Sequence, residues 1–229
     1  MSPTPRTYQI ASITIPPDGS IRLDEPIWRS IEPLSIDWFH PASSSHRPQT
    51  LARLAHDQHA LYAWFHVRDR YVKSLCTHYQ DMVCHDSCVE LFLQPKIDRG
   101  YFNFEFNCGG TMLLYYIEDA RKVDGKLARF TPVAPEAATM VRVSSTMPKV
   151  VPVEIAEPVD WSIAIQIPFK MLERYVGAIG SVEGQTWRGN LYKCADKTSH
   201  PHWASWAPIG KELNFHQPDK FGELRFQLL

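Results

Sequence analysis

A β-sandwich is the fold class this sequence predicts, and three observations predict it. Short runs that alternate apolar and polar residues recur along most of the 229 positions. Clusters of Pro, Gly, Asn, Asp and Ser separate those runs, as turns separate strands. A single segment, PFKMLERYV at 168–176, has convincing helical character.

The elements follow in order. Residues 1–50 are rich in Pro, Ser and Asp, with Tyr8–Ile15 predicted as an edge strand stopped by Pro16-Pro17. Ser43-Ser44-Ser45 marks a loop. Leu51–Leu54 and Ala60–Arg68 read as a strand pair around His56-Asp57-Gln58. In the second strand Leu61, Ala63, Phe65 and Val67 face one way; Tyr62, Trp64, His66 and Arg68 face the other. Asp86–Asn107 reads as a hairpin. Its polar face carries Asp86, Cys88, Glu90, Tyr101, Asn103, Glu105 and Asn107, and Phe102, Phe104 and Phe106 lie on the other face. Thr111–Ile117 continues it. Residues 118–158 form a Pro- and charge-bearing excursion with weak strands such as Met140–Ser144. Trp161–Ile167 is a strand with Trp161, Ile163, Ile165 and Ile167 on one face. Pro168 suits the first position of the helix, and Gly177 ends it. Thr186–Ala195 is a strand that puts Arg188, Asn190 and Tyr192 on one face. A long aromatic loop, 196–218, leads to a last strand, Gly222–Leu228. No internal repeat or low-complexity linker interrupts the chain. The expected organisation is one domain over 1–229, with an arm and edge strand at 1–49 and the sandwich core at 50–229.

A net charge of -1 and a pI near 6.8 argue against an electrostatic grip on nucleic acid. No like-charge run and no stretch of 18 apolar residues points to a membrane. The start, MSPTPRTYQI, lacks a leader pattern, and five cysteines make an odd count. Reduced thiols and a cytoplasmic setting are expected, or export if a leader has been removed.

The blocks LYAWFHVRD, HDSCVELFLQP, YFNFEFNCGGT, WSIAIQIPF, RGNLYKC, HWASWAPI and NFHQPDKFGEL occur in that order. Together they resemble the family 9 carbohydrate-binding modules, and DSCVE, FNCGG and LYKC resemble its free-standing branch. The resemblance implies a sandwich of two mostly antiparallel sheets and no catalysis. It also implies an oligo- or polysaccharide partner of glucan or xylan type. Modules of this family attached to xylanases hold a terminal sugar between two tryptophans, and some carry structural calcium. No cofactor is therefore required, and calcium is allowed.

Sugars need planar amides and charged groups for their hydroxyls and aromatic faces for their C–H surfaces. Glu90, Asn103, Glu105, Asn107, Arg188 and Asn190 offer the first. Trp203 is the candidate platform, with Tyr71 and Tyr79 as an opposing wall; Trp64 and Trp161 read as core and Trp206 as structural. Equally, Glu90 or Glu105 could pair with Arg188 in a network that only ties strands together. A shared polar face requires opposed hairpin residues whose numbers sum to an odd value. One such register sets Glu90 against Glu105, which calls for a cation or a proton. An arginine on that face would lower both carboxyl pKa values. The C-x3-C of Cys84 and Cys88 is a poor zinc pattern, so metal ligands stay undefined. His216 is expected to order the turn before the last strand. Two alternatives remain open: glycoside processing by Glu90 and Glu105, and a protein-binding scaffold with its polar face sealed by 196–218.

Overall fold

The alternating runs become sixteen strands in a computed structural model that describes residues 5–14 and 26–228. They are β1 (Thr7–Ser12), β2 (Leu34–Ser35), β3 (Trp38–Phe39), β4 (Gln49–His56), β5 (Ala60–Asp69), β6 (Val72–Ser74), β7 (Cys88–Gln94) and β8 (Tyr101–Asn107). Then come β9 (Met112–Val123), β10 (Lys126–Pro132), β11 (Arg142–Ser145), β12 (Val151–Ile155), β13 (Val159–Pro168), β14 (Thr186–Cys194), β15 (Trp203–Ser205) and β16 (Gly222–Phe226). Three short helices accompany them: α1 (Ile27–Ser30), α2 (Pro135–Ala138) and α3 (Phe169–Val176). Only α3, the predicted helix, exceeds one turn. Pro168 precedes it in extended conformation as its N-cap, one place before the expected position, and Gly177 ends it at φ 72.

The strands do not form two sheets. One mixed sheet runs β10-β9-β8-β7-β14-β16-β1-β4-β5-β13-β11, and only β12 and β6 pair apart from it. The strand that joins the halves is β1, expected at an edge. Its residues Thr7–Ile10 run parallel to β16, and Ala11 and Ser12 run parallel to β4. Each stretch of β1 pairs on one side, so the strand passes from one half of the sheet to the other. Alternation cannot show this, because it fixes which face a side chain takes, not which strand lies beside it. The predicted end of that strand, at Ile15, lies outside the described residues.

The two halves press their apolar faces onto a shared core. Leu91, Phe104 and Leu191 come from one half, and Phe65, Trp161 and Ile163 from the other. Residues 118–158 are more regular than their composition suggests, since β9 extends to Val123 and β10, α2, β11 and β12 follow. Pairing with established strands overrides weak propensity there: β10 docks on β9 and β11 on β13. No described helix is long and apolar enough to cross a membrane.

Candidate functional site

Strands β8, β7 and β14 lie side by side, and their registers decide what the polar face can do. Glu90 sits directly opposite Glu105, Phe92 opposite Asn103, and Cys88 opposite Asn107. On the other flank Glu90 opposes Tyr192, and Cys88 opposes Cys194. The register that brings two carboxyls together is therefore the one adopted. Above them lies a cavity of about 440 Å³, within the roughly 300–1,000 Å³ range of small-ligand sites. Glu90, Asn103, Glu105 and Cys194 contribute to its lining from the strands. Its walls are Tyr115 from β9, Trp203 from β15, and Phe215 and His216 from the loop before β16.

Among the described residues no Lys or Arg lines this cavity, yet three carboxyls do: Glu90, Glu105 and Asp196. Both glutamates are buried. Burial first, and then the neighbouring Glu105 carboxylate, pushes Glu90 well above the usual carboxyl range. Burial raises Glu105 to about 8 against the opposing hydrogen bond from Asn103. Asp196 is also raised, chiefly by burial. The expected lowering by an arginine does not occur, because Arg188 points its guanidinium at the carbonyls of Asp219 and Phe221.

Local bonding holds the floor in place. Asn103 Nδ2 donates to Glu105 Oε1 at 2.7 Å, and Asn103 Oδ1 accepts from the Tyr115 amide at 2.8 Å. The Cys194 thiol donates to Glu90 Oε1 at 3.1 Å, while Glu90 Oε2 has no partner among the described residues. The Trp203 indole donates to Asp196 at 2.7 Å, which fixes its ring in the wall. Tyr192 stacks on Phe215 with centroids 4.1 Å apart and donates its hydroxyl to the Phe215 carbonyl.

Of the nine sequence-predicted site residues, the cavity brings together Glu90, Asn103, Glu105 and Trp203. Asn107 is buried in bonds to Asp86, the Cys76 carbonyl and the Thr111 amide. Asn190 is committed to Ala207 and the Leu191 amide. Tyr71 stacks on His200 with centroids 3.6 Å apart. Tyr79 donates to the Val133 carbonyl and lines a separate pocket beside α2. Trp206 is buried, its ring against Gly222, where a Cβ would come within 2.5 Å. Trp161 is core, whereas Trp64 is half-buried on the outer face near Trp28. His216 accepts from or donates to the Tyr101 hydroxyl at 2.8 Å and lines the cavity as well as its turn.

Sequence reasoning passed over Asp196, Tyr115, Phe215 and Cys194. Cys194 was visible on the Tyr192 strand, at the parity of Arg188 and Asn190; the loop residues carried no signal. Among the described residues one group of three metal-ligating atoms converges, from Cys88, Glu90 and Cys194, all within 4.8 Å of one another. Calcium takes about six to eight oxygens, so two thiols and one carboxyl are a poor set for it.

A mostly-β chain with an aromatic-walled polar cavity on one sheet face has the build of a small-ligand binding module. The chain belongs to carbohydrate-binding family 9, whose profile matches residues 27–226. It is similar to a Bacteroides uniformis protein whose carbohydrate binding is itself an inference, with 26% identity, coverage of 98% of this chain and 100% of that one, and a TM-score of 0.84. A family 9 module from Caldicellulosiruptor kristjanssonii in complex with glucose shares the fold at 13% identity and a TM-score of 0.63, covering 98% of this chain and 97% of that one. One in complex with cellotriose does so at 15% identity and a TM-score of 0.60, covering 98% and 95%. No curated protein matches the sequence.

Proposed function

We propose that the cavity over β7, β8 and β14 binds carbohydrate without catalysis, with the end of a glucan-type chain as the first expected ligand. The observation that carries this reading is the facing pair Glu90 and Glu105 beneath Trp203, Tyr115 and Phe215. Sugar hydroxyls can donate to the unpartnered Glu90 Oε2 and accept from a protonated carboxyl, while ring C–H faces lie on the aromatic walls. The glucose and cellotriose complexes of the Caldicellulosiruptor kristjanssonii modules support a glucan-type partner.

Retaining glycoside hydrolysis needs one carboxylate ionised as nucleophile while the other is protonated. Here burial pushes both upward, with the facing Glu105 adding to the rise of Glu90, so neither is poised as a nucleophile near neutral pH. Binding rather than cleavage fits that arrangement. Affinity should be modest, because water satisfies a free sugar well.

Calorimetric titration with cellobiose, xylobiose and monosaccharides, with calcium and with a chelator, tests the reading. Saturable binding is expected, reduced at least tenfold in Trp203→Ala and Glu105→Ala. A flat response from demonstrably folded protein would overturn it.

A further inference from the structure

Cys88 and Cys194 are direct partners across the β7–β14 pair, and Glu90 is the next residue of β7 on the same face. One ligand atom from each lies within 4.8 Å of the others, and all three side chains are buried. Glu90 and Cys194 line the cavity floor, and Cys88 stands outside its lining. Three observations beyond the cluster itself point to an unfilled ligand position at Glu90. Glu90 Oε2 is buried with no partner among the described residues. Glu105 faces Glu90 directly. The nearest ammonium along the strand, Lys193, is engaged on the other face of β14 by Asp69 at 3.4 Å and His202 at 2.8 Å. A buried carboxyl left in this state costs free energy that a bound cation would recover.

Donor chemistry selects the cation. Calcium and magnesium take oxygen ligands, whereas paired thiolates favour zinc and its thiophilic neighbours. We propose that Cys88, Cys194 and Glu90 hold a thiophilic divalent cation, zinc first, with a fourth coordination position turned toward the cavity. Three protein ligands and one open position is how reactive and ligand-binding zinc sites are built. Bond lengths of about 2.0–2.3 Å bring tetrahedral ligands to within roughly 4 Å of each other. The three side chains therefore need to draw in by about an ångström or less. Both thiols lose their protons on binding, and two thiolates with one carboxylate more than balance the dication. An open position would give a sugar or other oxygen ligand a second anchor, but metal binding itself does not depend on what fills the cavity.

The test uses the full chain, reduced and stripped with chelator, then titrated with cobalt(II). The expected result is a thiolate-to-cobalt charge-transfer absorption that saturates at one equivalent and is abolished by zinc. Cys88→Ser and Cys194→Ser should each remove it, and Cys76→Ser, at a half-exposed cysteine outside the cluster, should keep it. Circular dichroism reports whether each variant is folded. Should the serine variants not fold, Glu90→Gln keeps the shape of the site and should weaken cobalt at least tenfold. No absorption from folded, reduced protein would overturn the proposal. So would a band that survives Cys88→Ser, or thiol counting that shows Cys88 and Cys194 joined as a disulfide under reducing conditions. Repeating the sugar titration on stripped and zinc-loaded protein separates this result from the carbohydrate reading, since either can fail alone.

Discussion

Neighbouring residues of β14 serve two buried regions with opposite electrostatics. Lys193 enters a network with Asp69, His46, His202 and the Trp161 indole, where both members of the ion pair are fully buried. Cys194 faces the cavity of Glu90, Glu105 and Asp196, which no ammonium or guanidinium of the described residues lines. Burial alone would raise the Asp69 pKa, yet Lys193 and the hydrogen bond from His46 hold it well below the ordinary carboxyl range. In the cavity the same burial acts against carboxyls that face each other, and it wins. Desolvation is common to both regions, so the counter-charge is what separates a structural network from a site with unspent binding capacity.

The largest effect should come from breaking the compensated region. Lys193→Met leaves Asp69 buried without its ammonium, which costs about 3–5 kcal/mol when one partner of a buried pair is removed. Urea denaturation at neutral pH measures it. A loss below about 1 kcal/mol would mean that His46 and His202 suffice and that the two regions do not differ as argued.

The pH dependence of stability should separate the regions next. Glu105 has a folded pKa of about 8, above its ordinary value. Between its unfolded pKa and about 8 the native state holds the extra proton, so this group's contribution is greatest at low pH and falls as pH rises through that window. Asp69 has the opposite sign: its contribution is present above its unfolded pKa and is lost only as pH falls below it. For metal-free protein, Glu105→Gln should therefore be more stable than wild type at pH 8 and gain little at pH 5. Denaturation midpoints at the two values decide it. An equal gain at both would mean that burial does not raise the Glu105 carboxyl in the folded chain.

A smaller change tests the wall of the cavity. Trp203→Phe keeps an aromatic face but loses the 2.7 Å bond to Asp196. Sugar affinity should fall a few-fold, less than in Trp203→Ala, with stability altered by about 1 kcal/mol, the usual net worth of one hydrogen bond. Equal losses in the two variants, read by calorimetry, would show that the bond rather than the ring matters.

Much of this contrast was legible in the chain, and the limits have physical causes. Period-two alternation marked Phe102, Phe104, Phe106 and Ile163 as core and Glu90, Asn103 and Glu105 as one polar face, because side chains must alternate along a strand. The odd-sum rule admitted the register that pairs Glu90 with Glu105 but could not select it, since that choice is made by turn geometry and by the neighbouring strands. Cys88 and Cys194 meet across 106 positions of sequence only because β7 and β14 become neighbours, which no local pattern encodes. Asn107 and Asn190 share the parity of the site residues, yet Asn107, at the end of β8, is consumed by Asp86 and nearby backbone groups, and Asn190, in the middle of β14, by the backbone of Leu191 and Ala207. Parity gives the face of a sheet, whereas tertiary pairing decides which part of that face stays free.

Arg188 is the sharpest case, and it carries the smallest expected effect. Its position on β14 gives it the face of Tyr192 and Cys194, and from the sequence it stands as the natural partner for Glu90 or Glu105. In the structure it pairs in register with Gln94, two places from Phe92, and its guanidinium serves the carbonyls of Asp219 and Phe221 just before β16. It is half-buried and outside the cavity lining. Arg188→Ala should therefore change sugar affinity by less than about twofold and lower stability by about 1 kcal/mol, the worth of capping two partly solvated carbonyls. Calorimetry and urea denaturation on the same preparation measure both. A tenfold loss of affinity with unchanged stability would mean that Arg188 swings into the cavity when ligand arrives. The uncompensated carboxyls would then be a resting state completed by an arginine of this chain.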